Sequence, residues 1–359
     1  MNIKDLKSYI LSGVTPPSEY QFGLELEHFV VDRDGKAVPY KNGVETLLSK
    51  MAQAAGVSVD VVKEDGNILG LNLPKLAISL EPGSQFEASI GPCKTVEEIS
   101  TIYTHFETLL RPILDANGWN LETYGYRLRE SPEDIKLIPK QRYFEMDGYL
   151  SQTGEFGVDM MRCSAATQVS IDFSSEADAI SKLRLASILS PVFAYIFSNT
   201  PVVRKSKNDD PLFRAKMWYK IDEKRAGVIP GIFDEDYSVE DYCRWVFNTP
   251  VMTRNYAGSK MDDVEFTLST VFPDVRMKKF VELRSVDSIP ISRALEYVTL
   301  VGNVFYDNQK LHALLDYFEW QSLTERDVYG AADVLSQNSV GNMQLYGKDY
   351  DEILEKIYE

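Results

Sequence analysis

The sequence predicts an α+β fold built on an antiparallel sheet, and two observations carry that prediction. Several short segments alternate apolar and polar residues with period two, as strands with one wet face do. The longer amphipathic segments do not follow the β-α-β order that a parallel sheet requires. The stretch Ala166–Phe173 shows the alternation most clearly. It places Thr167, Val169, Ile171 and Phe173 on one side, and Gln168, Ser170 and Asp172 on the other.

Taken in order, residues 4–12 and 45–55 form short amphipathic helices, the second ending before Gly56. Between them lies the strand Tyr20–His28, in which Phe22, Leu24 and Leu26 line a core while Glu25 and Glu27 leave together from the opposite face. Val30 and Val31 continue it as an interior strand, Gly23 leaves room for a ligand to approach, and Asp32–Gly35 closes it as a hairpin turn. Residues 76–90 form a second strand pair broken at Pro82-Gly83. Thr95-Val96-Glu97-Glu98 is a capping box. The helix it opens carries Ile99, Ile102, Phe106, Leu109 and Ile113, with Gly118 as its stop.

Residues 120–128 are extended, and 129–158 form a long polar loop containing Pro139–Tyr143, a length that usually signals function. Ser175 caps a helix that runs to about Asn199 before Pro201. Phe213–Trp218 leads into Ile221–Arg225, Phe280–Arg284 is a strand, and 292–318 is one apolar helix. Two short helices follow from about residue 322. With no repeat and no Gly/Ser/Pro linker, the chain is expected to form a single domain over 1–359, its motifs within 20–310 and a helical tail over 320–359.

The 359 residues are 44% hydrophobic and 26% charged, an ordinary globular composition. A net charge of −16 argues against nucleic acid or an anionic membrane as partner, without excluding a locally basic pocket. Cys93, Cys163 and Cys243 are too scattered for a disulfide framework, and His28, His105 and His312 offer no zinc pattern. Residues 1–5 lack a signal-peptide core and no run approaches the roughly eighteen apolar residues of a membrane span, so the cytoplasm is the expected compartment.

The chemistry concentrates in five carboxylates, Glu25, Glu27, Glu81, Glu87 and Glu282, beside Gln168 and Arg284. Carboxylates gathered on shared faces repel unless a cation sits between them, and the usual occupant is a hard divalent ion such as Mg²⁺ with its phosphate ligand. The Pro82-Gly83 kink lets Glu81 and the Gln85/Glu87 pair converge. Glu282 and Arg284 share one strand face, an acid for metal beside a fork for phosphoryl oxygens. Arg214, Lys216 and Arg225 bracket Trp218 and Asp222 as a basic patch suited to a nucleotide's phosphates or a carboxylate, and Lys140 and Arg142 repeat the pattern in the long loop. Each feature alone also fits a solvated face or a simple ion pair; their combination does not. No phosphate-binding loop surrounds Gly258-Ser259-Lys260, and neither GxGxxG nor GxSxG occurs.

Four stretches together, Gly23–Glu27, Ser79–Glu87, Gly157–Met161 with Thr167–Asp178, and Phe272–Arg284, resemble the plant and proteobacterial type of glutamate–cysteine ligase. The resemblance spans roughly residues 20–310 in the family's order, and the SLEPG-x-QFE and QVSIDFSSEAD stretches are highly specific. It implies a curved antiparallel sheet forming a funnel with helices outside, shared in outline with glutamine synthetase and guanidino kinases. It implies synthesis of γ-glutamylcysteine from L-glutamate, L-cysteine and ATP through a γ-glutamyl phosphate, with roughly two or three Mg²⁺ ions. By the same resemblance Glu25, Glu27, Glu81, Glu87, Gln168 and Glu282 hold metal and Arg225 and Arg284 face the phosphates; Arg214 and Lys216 are expected to join them from the basic patch. Lys140, Arg142, Tyr143 and Gln85 lie near the substrates. A monomer or homodimer with only small-molecule partners is expected.

Departures from the family pattern fall at Ser84, where glycine is usual, at Ala226, where threonine is common, and in Arg162–Ala166. They leave the amine acceptor open. A γ-glutamyl ligase for another amine, or a non-catalytic metal or amino-acid binder, is the alternative. No cysteine pairs suggest redox control.

Overall fold

A computed structural model describes residues 1–56, 59–200, 210–253, 263–337 and 343–359. Pro201 and Gly258-Ser259-Lys260 lie outside them. The chain opens with α1 (Ile3–Leu11), β1 (Phe22–Val31) and α2 (Glu45–Ala55), followed by β2 (Asp60–Glu64), β3 (Asn67–Leu73), β4 (Leu76–Leu80) and β5 (Phe86–Cys93). Then come α3 (Val96–Asn117), β6 (Asn120–Glu122), α4 (Gln141–Leu150), α5 (Gly157–Cys163), β7 (Thr167–Ile171), α6 (Glu176–Ile196) and α7 (Phe213–Trp218). After β8 (Ala226–Gly227), α8 (Val239–Asn248) and α9 (Val264–Leu268) come β9 (Phe272–Pro273), β10 (Val275–Met277) and β11 (Val281–Leu283). The helices α10 (Ile291–Phe305), α11 (Asn308–Tyr317), α12 (Glu325–Ser336) and α13 (Tyr350–Tyr358) close the chain.

The main sheet runs β10-β11-β7-β1-β5-β4-β3-β2, with β6 added to the far end of β1, and every pairing in it is antiparallel. This is the α+β, antiparallel architecture expected from the alternation. β1 lies between β7 and β5, so its backbone groups are satisfied on both sides. Leu24, Leu26, Ile78, Ala88, Val169 and Ile171 leave the sheet on one face and are buried, where α2, α3 and α10 pack against it. α6 packs on β10 and β11. Most buried apolar residues from Leu6 to Ile357 belong to one continuous core, with Phe29, Val31 and Ala165 in a small cluster of their own.

The turn at Asp32–Gly35 forms, with Gly35 at φ 73°, and the chain after it returns to β1 through a bridge from Ala37 to Val31 and a hydrogen bond from Val38 N–H to Val30 O rather than as a full strand. The Thr95 and Ser175 side chains cap α3 and α6, but the expected capping box at Thr95 is half formed, because Glu98 accepts Lys94 N–H instead of Thr95 N–H. α6 is long and apolar enough to cross a membrane by length and composition; most of it is buried in the core.

Three expectations change. The loop over 129–158 holds α4 and the start of α5, joined by a double hydrogen bond from Arg162 to Asp147 at 2.8 Å each. Local polarity concealed these helices because tertiary contacts hold them. The single helix over 292–318 breaks after Phe305, because the Asp307 side chain accepts the backbone N–H groups of Gln309 and Lys310 and starts a new helix. The β2–β3 hairpin has no counterpart in the sequence reading, although Asp65-Gly66, both at positive φ, is a hairpin-turn dipeptide.

Leu26 sits fully buried at the centre of the sheet. Leu26→Ala is expected to lower unfolding stability by about 2–5 kcal/mol, read as the urea midpoint. An unchanged midpoint would contradict the placement of the core face.

Candidate functional site

The pleat that buries Leu24 and Leu26 turns Glu25 and Glu27 to the other side, and register carries that face across the sheet. Glu25 lies between Gln168 and Ser89, Glu27 opposite Glu87, and Glu87 opposite Ser79. Glu81 joins them through a tight turn, since Glu81 N–H donates to Gln85 O and Ser84 N–H to Glu81 O, both at 2.9 Å. Ser84 holds φ 65° in this turn, the left-handed conformation that glycine adopts freely. A Cβ on Gly83 would stand 2.4 Å from Arg162 O, so glycine is required there for α5 to approach.

The result is a cavity of about 220 Å³ floored by Glu25, Glu27, Glu81 and Glu87. α4 supplies Arg142, Tyr143 and Met146 to its walls, α5 supplies Met160 and Met161, and α7 supplies Arg214 and Trp218; Arg276 and Arg284 of the β10–β11 hairpin complete it. A second cavity of about 570 Å³ shares Glu25 and continues along the same sheet face over Gly23, Ala77, Ser89 and Ser170.

Hydrogen bonds fix the acids individually. Glu27 accepts Ala166 N–H at 2.9 Å and Gln168 Nε2 at 3.0 Å. Glu87 accepts the hydroxyls of Ser79 and Ser89 at 2.9 and 2.8 Å. Glu81 accepts the Tyr143 hydroxyl at 3.3 Å. Burial first and the Glu81 charge second push Glu27 up to about 8, against the pull of Arg214, Arg284 and the Ala166 N–H. Burial and the charges of Glu25, Glu81 and Glu27 raise Glu87 well above its ordinary range. Burial and Glu282 raise Glu25. The floor is therefore short of positive charge, the condition a hard divalent ion relieves. Among the described residues, no three His, Cys, Asp or Glu side chains are already closed around a metal position.

Glu282 behaves differently. It is fully buried, and its Oε2 accepts Arg276 Nε at 2.6 Å and Arg284 Nη1 at 3.0 Å, while Lys278 Nζ reaches Oε1 at 3.3 Å. Burial opposes its charge, yet Arg276, Lys278 and Arg284 together hold it well below the ordinary carboxylate range. The expected metal ligand is thus committed to three cations and does not line the cavity. Gln168 likewise gives its oxygen to Arg284 Nη1.

Other expected residues divide. Arg284, Arg214, Arg142 and Tyr143 reach the cavity. Arg214 does so with Nη1 and Nη2 donated to the carbonyls of Arg284, Ser285 and Val286. Gln85 lines it with its amide spent on Gly83 N–H and the carbonyls of Met161 and Ser164. Lys140 lies over the Tyr143 ring and lines the neighbouring cleft with Arg142; burial lowers its pKa against the Glu81 charge.

Arg225 is the clear correction: it is fully buried away from the cavity, donating to Asp222 at 2.6 Å, Thr270 O at 2.9 Å and Pro250 O at 2.7 Å. Lys216 points to Asp333 at 2.8 Å and Ser336 at 3.0 Å. Arg276 went unread, although it faces Glu282 across the hairpin and repeats with Lys278 the i, i+2 spacing of Glu282 and Arg284.

An acidic floor and a wall of guanidinium groups thus meet in one cavity. The chain belongs to Glutamate-cysteine ligase family 2 (GCS2), whose family model matches residues 21–333. It is 30% identical over 351 residues to the chloroplastic glutamate–cysteine ligase of Medicago truncatula, covering 90% of this chain and 68% of that one. It is 30% identical over 338 residues to the Arabidopsis thaliana chloroplastic enzyme, covering 87% and 64%. The chain thus spans about two thirds of the length of these relatives. The crystal structure of a glutamate–cysteine ligase from Francisella tularensis in complex with AMP shares the fold, with a TM-score of 0.58 at 12% identity, over 94% of this chain and 76% of that one. The cytoplasmic expectation is overturned by these relatives, which are chloroplastic enzymes.

Glu27, near 8, and Asp274, pushed to about 6 by burial against its Tyr219 hydrogen bond and the Arg214 and Arg284 charges, keep protons on folding that the unfolded chain has released. Their folded pKa values are raised, so the stability they contribute is complete at low pH and is lost as pH rises, through about 6 for Asp274 and about 8 for Glu27. Buried His28, lowered to about 4, acts only below its ordinary range. The thermal midpoint of the metal-free protein is expected to fall between pH about 6.5 and about 9, and Glu27→Gln to flatten that fall. A midpoint that rises across this window would contradict the assignment.

Proposed function

We propose that the protein is an ATP-dependent ligase that joins the γ-carboxylate of L-glutamate to the amine of L-cysteine. The observation that carries this reading is the division of one cavity into an acidic floor and a guanidinium wall. Family membership and the names of the chloroplastic relatives support it.

A free carboxylate is a poor acyl donor. In the first step a γ-carboxylate oxygen forms a bond to the γ-phosphorus of ATP, and the bond from that phosphorus to the β–γ bridging oxygen breaks, its electron pair leaving with ADP. In the second step the neutral cysteine amine forms a C–N bond, the C–O bond breaks with its pair leaving on phosphate, and the nitrogen passes a proton to the departing phosphate. No enzyme nucleophile is required. Arg284 faces the cavity and would stabilise charge on the phosphoryl group, and Arg214 adds to the field behind it. Met146, Met160 and Met161 would shield the acyl phosphate from water.

Glu25, Glu27, Glu81 and Glu87 offer only hard oxygen donors and lack compensating charge, which fits Mg²⁺, with roughly two or three ions. Held by these four carboxylates, Mg²⁺ would supply the positive charge that offsets the phosphates. Glu25 is the natural first ligand, because its carboxylate accepts no hydrogen bond among the described residues and borders both cavities. The first cavity is too small to hold a nucleotide together with two amino acids. The second, with its shelf of Gly23, Ala77, Ser89 and Ser170 between Phe22 and Phe280, suits a nucleotide base. We read the sheet with its covering helices as a funnel of the glutamine synthetase type. We also read the chain as a single domain, which the continuous core supports.

Phosphate release from ATP in the presence of glutamate and a panel of amines tests the reaction and its acceptor together. A cysteine-dependent signal is expected; its absence, with another amine active, would move the assignment to that amine. Glu27→Gln and Arg284→Ala should each reduce the rate on the order of a hundredfold or more with the circular dichroism unchanged. Near-normal turnover in either variant would remove this site.

A further inference from the structure

Three cations surround one buried carboxylate on the β10–β11 hairpin. Arg276, Lys278 and Arg284 all lie within 3.3 Å of Glu282, which carries a single charge. Neutralising Glu282 requires only one of them. Holding a surplus of cations out of water is costly, and that cost is recovered only if an anion joins them. Glu25 does not fill this role, because the ion pairs of all three cations run to Glu282 and none to Glu25 among the described residues. The surplus faces the cavity, where Arg276 and Arg284 line the same wall.

Arg276 is held for that task. Its Nε donates to Glu282 Oε2 at 2.6 Å and its Nη1 to Val271 O at 3.3 Å, and the residue is 7% exposed. Nη2 has no acceptor among the described residues. Arg284 is similar: Nη1 is spent on Glu282 and Gln168, which leaves Nε and Nη2. One carboxylate therefore aligns two guanidiniums side by side, each with donors to spare, in the arrangement that grips phosphoryl oxygens.

We propose that Arg276 is a second catalytic arginine, touching the transferring phosphoryl group together with Arg284, and that Glu282 is the positioning residue that sets both. The proposal rests on the ligase reading for the identity of the anion. As the bond from the γ-phosphorus to the bridging oxygen breaks and the bond to the γ-carboxylate forms, Arg276 donates to the non-bridging oxygens, and no proton changes hands.

Arg276→Ala should lower kcat for glutamate-dependent ATP cleavage by at least about a hundredfold with the KM for cysteine little changed, and added guanidinium should restore part of the rate. Arg276→Lys keeps the charge, loses the fork and should fall between wild type and Arg276→Ala. Glu282→Gln should lower kcat while leaving that guanidinium rescue absent. A folded Arg276→Ala protein within about threefold of wild type overturns the proposal, and if that variant does not fold, Arg276→Lys within about threefold does so. Calorimetry with inorganic triphosphate separates the two readings. Should wild type show no turnover, the ligase reading fails, while a tenfold or greater loss of triphosphate affinity in Arg276→Lys supports the clamp and equal affinity overturns it.

Discussion

Carboxylates confined to one face of a sheet repel one another, and a cavity walled by methionine, tyrosine and tryptophan screens that repulsion poorly. The rest of the structure answers this constraint. The β1–β5 and β1–β7 registers place Glu25, Glu27 and Glu87 within one pleat, so the repulsion cannot relax by side-chain rotation alone. Serine hydroxyls, the Ala166 N–H and the Gln168 amide relieve part of it, and protonation or a bound cation must relieve the rest. The opposite face of the same strands is buried and, apart from Thr167 and His28, apolar, and its burial supplies the stability that lets the acidic face persist.

The β10–β11 hairpin is the counterweight. Its charges are arranged inversely to those of the floor, with one acid among three cations, and it sits at the end of the same sheet face through β7. Acidic and guanidinium groups are thereby separated within one cavity, the division that the proposed phosphoryl transfer between two anions would use. Arg214 lines the cavity beside this wall and adds to its positive field, while Asp274 lies behind it, its backbone O accepting the Arg284 N–H at 2.9 Å.

Much of the site was legible because period two is a geometric rule: once Leu24 and Leu26 were placed inside, Glu25 and Glu27 had to emerge together. The Pro82-Gly83 interruption likewise announced a turn able to bring Glu81 beside Glu87. What spacing cannot reveal is which way a charged residue in irregular chain points. Arg225 looked like a phosphate ligand beside Trp218, but its neighbour Asp222 and two backbone carbonyls take its guanidinium inward. Arg276 was passed over because its partner lies six residues away across a hairpin, a pairing fixed only by register. α4 and α5 were hidden for a related reason, since the Arg162–Asp147 pair that joins them is tertiary.

Oxygen transfer tests the central claim, that this cavity activates a carboxylate by phosphorylation, most directly. With L-glutamate carrying oxygen-18 in its γ-carboxylate, supplied with ATP, Mg²⁺ and cysteine, the account predicts released phosphate bearing one labelled oxygen for each peptide bond formed. Phosphate released without label, at the same rate as product, would contradict it.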